Sequence, residues 1–279
     1  MSALDENAAW DAFSRRDRAA DGRFVVAVTS TGIYCRPSCA ARRPRREHVR
    51  FHPTPEAARA AGFRACLRCL PDQVTRDRQA VARAVALLEE SDAAPSLTEL
   101  AEAVGYAPHH FHRLFKRATG VTPAAYARSL RNRRADEALR QEGSVTAAVY
   151  EAGYSAPSRF YADSEARRGM APGQWRRGGD GVAIGWTMVA TPLGAMLIAL
   201  TARGPARLAF DEDDQALTGH FSTARITPLG GEEAAAISRM IAALPLPDHD
   251  LPEQARRIAF IEAVTRELSA HAQRAERQL

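Results

Sequence analysis

The sequence predicts a multidomain α+β protein, and three observations carry that prediction. Four cysteines lie in two close pairs in the first third, the middle third repeats one helical unit, and the last third opens with two β-rich runs. A chain of 279 residues usually holds two or three domains. We therefore expect a small α/β domain over residues 1–76, an all-α domain over 77–177 and an α+β domain over 181–279.

The spacing of the cysteines indicates a metal site. Three residues separate Cys35 from Cys39, two separate Cys66 from Cys69, and 26 lie between the pairs. Each short pair can supply two corners of a tetrahedron, and folding brings the pairs together, so zinc is the expected ion. A disulfide framework is not expected, because the polar start shows no secretory signal and indicates a reducing, cytoplasmic location. Spacing alone leaves a purely structural zinc site open.

Basic residues surround the first pair of cysteines and indicate an anionic partner. Arginines far outnumber the one acid, Glu47, between Cys35 and Arg50. By stretches, the net charge is +6 over residues 1–78, +3 over 79–177 and −4 over 178–279. The first two stretches fit nucleic acid, whereas the last does not look like a polyanion-binding surface. The arginines expected to face DNA here are Arg36, Arg42, Arg43 and Arg45.

The middle of the chain contains two copies of one unit, at residues 96–126 and 144–175. Gly105-Tyr106 aligns with Gly153-Tyr154, and Phe111 aligns with Phe160. Each copy reads as a short helix, a glycine-containing turn and a second helix, which is the helix-turn-helix arrangement. In the first copy, Ser96 and Glu99 form a capping-box pattern. An arginine-rich helix from Pro123 to Glu142 is predicted between the copies.

The second helix of each copy is expected to read DNA in the major groove. If its apolar residues face inward, a defined set of polar residues faces outward. Arg113 and Arg159 are the candidates for guanine or phosphate contact, because a guanidinium can donate two hydrogen bonds to a base edge. The outward positions are His109, His110, Arg113, Lys116 and Arg117 in the first copy, and Ser158, Arg159, Ala162 and Asp163 in the second.

The uncharged run from Gly181 to Ala202 is long enough to cross a bilayer but reads better as a hairpin. Turn residues at Thr191-Pro192-Leu193-Gly194 divide it into two β-rich halves. We therefore expect a two-stranded hairpin and no membrane partner.

Three segments of the sequence closely resemble the zinc domain of the Ada family, whose members respond to DNA methylation damage. They are Phe24 to Val28, Thr31 to Cys39 (Thr-Gly-Ile-Tyr-Cys-Arg-Pro-Ser-Cys) and Gly62 to Cys69 (Gly-Phe-Arg-Ala-Cys-Leu-Arg-Cys). The paired helix-turn-helix unit is similar to the AraC/XylS type, which follows the zinc domain in this family.

The resemblance implies a function and assigns roles to the cysteines. Cys35, the first of the motif, is then both a zinc ligand and the nucleophile that accepts one methyl group from a DNA methylphosphotriester. Cys39, Cys66 and Cys69 are then fixed zinc ligands. The resemblance further implies a single-turnover methyltransferase whose methylation activates transcription, with double-stranded DNA and RNA polymerase as partners; we expect a working monomer, since one chain carries two readers.

The last hundred residues only weakly resemble the start of an O6-alkylguanine alkyltransferase domain. No Pro-Cys-His-Arg motif is present and no cysteine follows Cys69, so repair at guanine O6 is not expected of this sequence. We interpret residues 181–279 as a degenerate or truncated α+β remnant. The main alternative for the whole chain is an AraC-type regulator with a purely structural zinc site; a redox sensor is a third class with no specific support in the sequence.

Overall fold

The computed structural model describes residues 5–91, 93–141 and 168–276. By its internal contacts the chain divides into two compact units, Met1–Ala80 and Val81–Leu279. The α+β class is confirmed, because each unit combines helices with a four-stranded mixed sheet. The boundaries of three separate domains stay a prediction.

The first unit is a small α/β domain built on a sheet of order β3-β1-β2-β4. Its helices pack on the two faces of the sheet: one core joins Phe13 to Val26, and the other joins Tyr34 to Ala58. Asp5 caps the first helix with its side chain, and Thr54 with the following proline opens the second. The elements are α1 Glu6–Arg15, β1 Val25–Val28, β2 Ile33–Cys35, β3 Val49–His52, α2 Pro55–Ala60 and β4 Arg64–Ala65.

Strand pairing in this unit brings the two cysteine pairs to one place. β1 pairs antiparallel with β2 and β3, whereas β2 pairs parallel with the short β4. The register sets Tyr34 opposite Ala65, so the residues that follow, Cys35 and Cys66, leave neighbouring strands in the same direction.

The helical part of the second unit contains the first predicted helix-turn-helix. The capping box of Ser96 and Glu99 is present, and Gly105 adopts φ 72° in the turn, a conformation that glycine tolerates best. Tyr126 is fully buried and donates a hydrogen bond from its hydroxyl to Glu89 at 2.8 Å. The helices are α3 Pro71–Glu90, whose residues 71–80 belong to the first unit, α4 Leu97–Ala103, α5 Pro108–Thr119 and α6 Pro123–Gln141.

A second sheet, of order β7-β6-β5-β8, follows and is covered by helices on both faces. One core joins Trp175 and Phe221 to Ile184, and the opposite core joins Ile198 to Phe260. The elements are α7 Pro172–Arg176, β5 Ala183–Thr191, β6 Gly194–Thr201, β7 Gly204–Phe210, α8 Asp214–His220, β8 Arg225–Pro228, α9 Gly231–Ala242 and α10 Glu253–Glu276.

The predicted hairpin is present in this sheet. β5 and β6 pair antiparallel from Gly185 and Leu200 to Thr191 and Gly194, and the Thr191 hydroxyl donates to the carbonyl of Gly194 at 2.8 Å. Among the described residues, none of the helices has the length and apolar character to cross a membrane.

We expect Trp175→Ala to lower the free energy of unfolding of the second unit by about 3 to 5 kcal/mol, because it empties a well-packed core position. Trp175 is buried and meets Phe221 edge-to-face, with 4.8 Å between ring centroids. Urea unfolding of the full chain, followed by far-UV circular dichroism, measures the change. Leu246→Ala, at an exposed position, is the control and should change stability by less than about 0.5 kcal/mol; equal effects of the two substitutions would contradict the packing role of Trp175.

Candidate metal centre and nucleic-acid interface

The four cysteines converge on one buried point. Each is a free thiol with 4 to 8% of its surface exposed, and the four Sγ atoms all lie within 4.8 Å of one another. A tetrahedral zinc site with Zn–S bonds of about 2.3 Å has S–S edges of about 3.8 Å, so the donor set fits zinc in number, chemistry and separation.

Backbone hydrogen bonds hold the two cysteine loops in shape. The N–H of Cys39 donates to the carbonyl of Arg36 at 3.1 Å, and the N–H of Leu70 donates to the carbonyl of Cys66 at 3.0 Å. The two loops are joined by the N–H of Arg36, which donates to Sγ of Cys69 at 3.4 Å. These hydrogen bonds of the backbone therefore help to set the positions of the four sulfurs.

The thiols of this cluster cannot ionise independently. A hydrogen bond to Cys69, then burial, raises the pKa of Cys35, and burial raises the pKa of Cys39. The hydrogen bond from Cys35 lowers the pKa of Cys69 to about 6. One thiolate is thus stabilised by the protons of its neighbours, and only a cation lets all four ionise together, which is the chemistry of a zinc–thiolate centre.

A buried carboxylate, Asp21, fixes the loop between Cys35 and Cys39. Its Oδ1 accepts from the N–H of Ser38 at 2.9 Å, and its Oδ2 accepts from the Ser38 hydroxyl at 2.5 Å. The same Oδ2 lies 3.6 Å from the guanidinium of Arg36. Asp21 therefore sets both the path of the loop and the direction of the arginine next to Cys35.

A second network anchors the end of β2 to the start of α3. The hydroxyl of the buried Tyr34 donates to Oδ1 of Asp72 at 2.7 Å, and Arg59 lies 2.8 Å from the other carboxylate oxygen. Burial, then the bond to Asp72, raises the pKa of Tyr34 to about 12, so the phenol stays a donor at neutral pH. The network fixes the residue immediately before Cys35.

The arginines expected near DNA differ in exposure. Arg36 is half-buried, whereas Arg42, Arg43 and Arg45 are exposed. Arg45 lies 3.7 Å from Glu47 in an ion pair that is open to solvent and worth little.

The predicted reading face of α5 is exposed as the sequence suggested. His109, His110, Arg113 and Lys116 point to solvent, while Phe111, Leu114 and Phe115 are buried. The aromatic ring of His110 stacks on Tyr106, with 5.3 Å between centroids. The equivalent residues of the second copy, Ser158, Arg159 and Ala162, lie outside the described residues.

Sequence reasoning missed Asp21, Asp72 and the role of the Tyr34 hydroxyl. Asp21 lies 14 residues before Cys35 and Asp72 lies three residues after Cys69, at no spacing that indicates a metal ligand. The one available signal was that Asp21 and Asp72 are acidic residues in a stretch with a net positive charge.

Comparisons with known proteins agree with this geometry. The family model described as the metal binding domain of Ada matches residues 8–72, and a helix-turn-helix domain model matches residues 100–178. The regulatory protein ada of Salmonella typhimurium is 36% identical over 276 residues, covering 96% of this chain and 78% of that protein. The bifunctional transcriptional activator/DNA repair enzyme Ada of Escherichia coli is 38% identical over 217 residues, covering 77% of this chain and 61% of that enzyme.

The chain is also similar to a solved structure. The DNA methyl phosphotriester repair domain of E. coli Ada is 49% identical, with 26% of this chain and 79% of that domain covered and a TM-score of 0.24. The chain spans about four fifths of the length of the Salmonella relative and about three fifths of the length of the E. coli enzyme.

We expect Asp21→Ala to lower zinc affinity about 10- to 100-fold, because it frees the loop that carries two of the four sulfurs. Competition against a chelator of known zinc affinity measures the change. Ser38→Ala removes only the hydroxyl bond and should have a smaller effect, and Asp11→Ala removes an exposed acid of the same unit as a charge control. Zinc affinity equal to that of the unsubstituted protein would show that the loop holds its shape without Asp21.

Proposed function

The chain belongs to the Ada family, and from that premise we propose that it removes methyl groups from DNA methylphosphotriesters and converts each transfer into transcriptional activation. The observation that carries the proposal is the buried cluster of four sulfurs within 4.8 Å, set in a unit with a net positive charge. The helix-turn-helix of the second unit supplies the DNA-reading element.

We propose Cys35 as the acceptor of the methyl group. Zinc, when bound, keeps the sulfurs deprotonated at neutral pH and holds them in place. The Cys35 thiolate attacks the methyl carbon. A C–S bond forms as the bond between that carbon and the ester oxygen breaks, and the electron pair stays on the oxygen, which remains bound to phosphorus in an ordinary phosphodiester anion. Cys35 ends as a thioether, and each molecule reacts once.

The residues around Cys35 suit this step. Arg36 follows it directly, and its guanidinium lies 3.6 Å from Oδ2 of Asp21. We propose that this guanidinium stabilises the anion that leaves. Arg42 and Arg43 are exposed on the same basic segment and are available to neighbouring phosphates. Cys39, Cys66 and Cys69 are proposed to remain ligands throughout.

Methylation changes the charge of the centre and thereby its affinity for DNA. Four thiolates with Zn²⁺ carry a formal charge of about 2−, and three thiolates with one thioether carry about 1−. Removing a negative charge at a DNA-facing surface weakens repulsion from the phosphates, so the methylated chain binds DNA more tightly. We propose this change as the signal that turns repair into activation, with RNA polymerase as the downstream partner, a monomer as the working form and the cytoplasm as its location.

The methyl acceptor is tested by incubating zinc-loaded protein with DNA that has been treated with a methylating agent. Intact-protein and peptide mass spectrometry should find one added methyl group, on Cys35. Cys35→Ala should accept none while binding unmethylated DNA about as well as the unsubstituted chain, provided that zinc stays bound. Methylation of Cys35→Ala would refute the assignment, and absence of methyl from every cysteine of zinc-loaded protein would leave a regulator with a structural zinc site.

The reading face is tested by Arg113→Ala on a duplex selected from random sequence by this protein. If Arg113 contacts a base, specific binding should weaken by about 1 to 3 kcal/mol and tolerance should broaden at one base pair. Arg239→Ala, an exposed arginine of α9, is the control for loss of one positive charge. Unchanged affinity for the selected duplex would remove Arg113 from the reading face.

A further inference from the structure

Two leucines are exposed beside the metal centre. In the part of the chain that the structure describes, the large apolar side chains with high exposure are Leu67 at 82%, Leu70 at 54%, Met188 and Leu246. Half of that set therefore lies within four residues, on the loop that carries Cys66 and Cys69. We call Leu67 and Leu70 the apolar tip.

The apolar tip is part of the loop that carries two of the four clustered cysteines. Leu67 follows Cys66 and Leu70 follows Cys69, and both of those sulfurs lie within 4.8 Å of Sγ of Cys35. Leu70 adopts φ 45°, a left-handed conformation that is unfavourable for leucine. The hydrogen bond from the Leu70 N–H to the Cys66 carbonyl stabilises that conformation. The loop therefore keeps an exposed leucine in a backbone conformation that costs free energy.

The surroundings of the apolar tip favour DNA as its partner. Arg64 is exposed on β4, just before this loop, and Arg68 is exposed on the loop between the two leucines. A protein partner of ordinary composition gives no reason for this arginine density, whereas a phosphate backbone does. The occupant must therefore present both negative charge and, at one point, an apolar group.

We propose that the apolar tip selects the neutral methylphosphotriester against the charged phosphodiesters around it. This inference rests on the proposed function, because it takes methylated DNA as the substrate of the same site. A phosphodiester oxygen placed against leucine loses water without gaining a hydrogen bond, which costs free energy. A triester carries no charge and bears a methyl group that packs on leucine favourably. The arginines bind the flanking phosphates, and the leucines choose which one approaches Cys35.

The test compares the unsubstituted protein with a polar variant, Leu67→Ser/Leu70→Asn, in which asparagine suits the left-handed position. The substrate is a duplex with one methylphosphotriester. Single-turnover transfer at increasing duplex concentration gives its half-saturation, and inhibition by the same duplex without the methyl gives the affinity for ordinary DNA. Selectivity is the inhibition constant of the unmethylated duplex divided by the half-saturation concentration of the methylated duplex. Native mass spectrometry confirms one zinc per chain in every protein used.

Selectivity should fall about tenfold in the polar variant, because leucine contact with the methyl group is lost and repulsion of phosphodiesters is relieved. Transfer to Cys35 should still occur at saturation. Leu67→Met/Leu70→Met, which keeps the tip apolar, should stay near the unsubstituted protein, and Leu246→Ser controls for loss of an exposed leucine elsewhere. If the double variant loses zinc, Leu67→Ser alone should show a smaller fall of the same sign.

Unchanged selectivity in a zinc-loaded polar variant would overturn the inference and leave the proposed function standing, since transfer to Cys35 is read in the same assay. An equal loss of affinity for both duplexes would also overturn it, by making the tip a general DNA contact. Unchanged selectivity with lost activation in a transcription assay would assign the tip to a protein partner instead. Absence of transfer in the unsubstituted protein would overturn the proposed function and the inference together.

Discussion

The parallel pairing of β2 with β4 is the constraint on which the metal centre depends. The cysteine pairs are separated by 26 residues, and neither pair can close a tetrahedral site alone. Because Tyr34 pairs with Ala65 in parallel strands, the next residues, Cys35 and Cys66, lie close together at the same end of β2 and β4. A two-residue strand is weak by itself, so the thiolate–metal bonds and the sheet stabilise each other, as expected where metal binding and folding are coupled.

The sequence predicted the features that local pattern determines. Cysteine spacing gave the zinc ligands as a set, the capping box and Gly105 marked the turn between α4 and α5, and the turn residues at Thr191 to Gly194 marked the hairpin. It did not predict the contacts that depend on long-range folding. Asp21 reaches Ser38 across 17 residues and Tyr34 reaches Asp72 across 38, and no periodicity encodes such a meeting.

One face of the second sheet packs against residues from the helical segments that precede it. Ala135 of α6 and Trp175 of α7 share a hydrophobic cluster with Ile184 and Leu197 of the second sheet. The N–H of Asp248 also donates to the carbonyl of Ala118, near the end of α5, at 2.7 Å. This packing explains why residues 81–279 form one compact unit.

Electrostatics around Cys35 set two opposing demands, and the arrangement of residues reconciles them. A centre of about 2− repels phosphates, yet the transfer that we propose for Cys35 requires a phosphate ester to reach its sulfur. Arginines alone would attract every phosphodiester equally, and they would not tell a damaged position from the undamaged ones that outnumber it.

Discrimination between the triester and the phosphodiesters therefore has to come from groups that respond to the missing charge. The thiolate cluster does so by repulsion, which is weakest for a neutral triester, and the exposed leucines beside it act in the same direction through desolvation. In the proposed transfer the triester itself is neutral and negative charge develops on it as the phosphodiester leaves, so attraction by Arg36 would act on the transition state more than on binding of the triester.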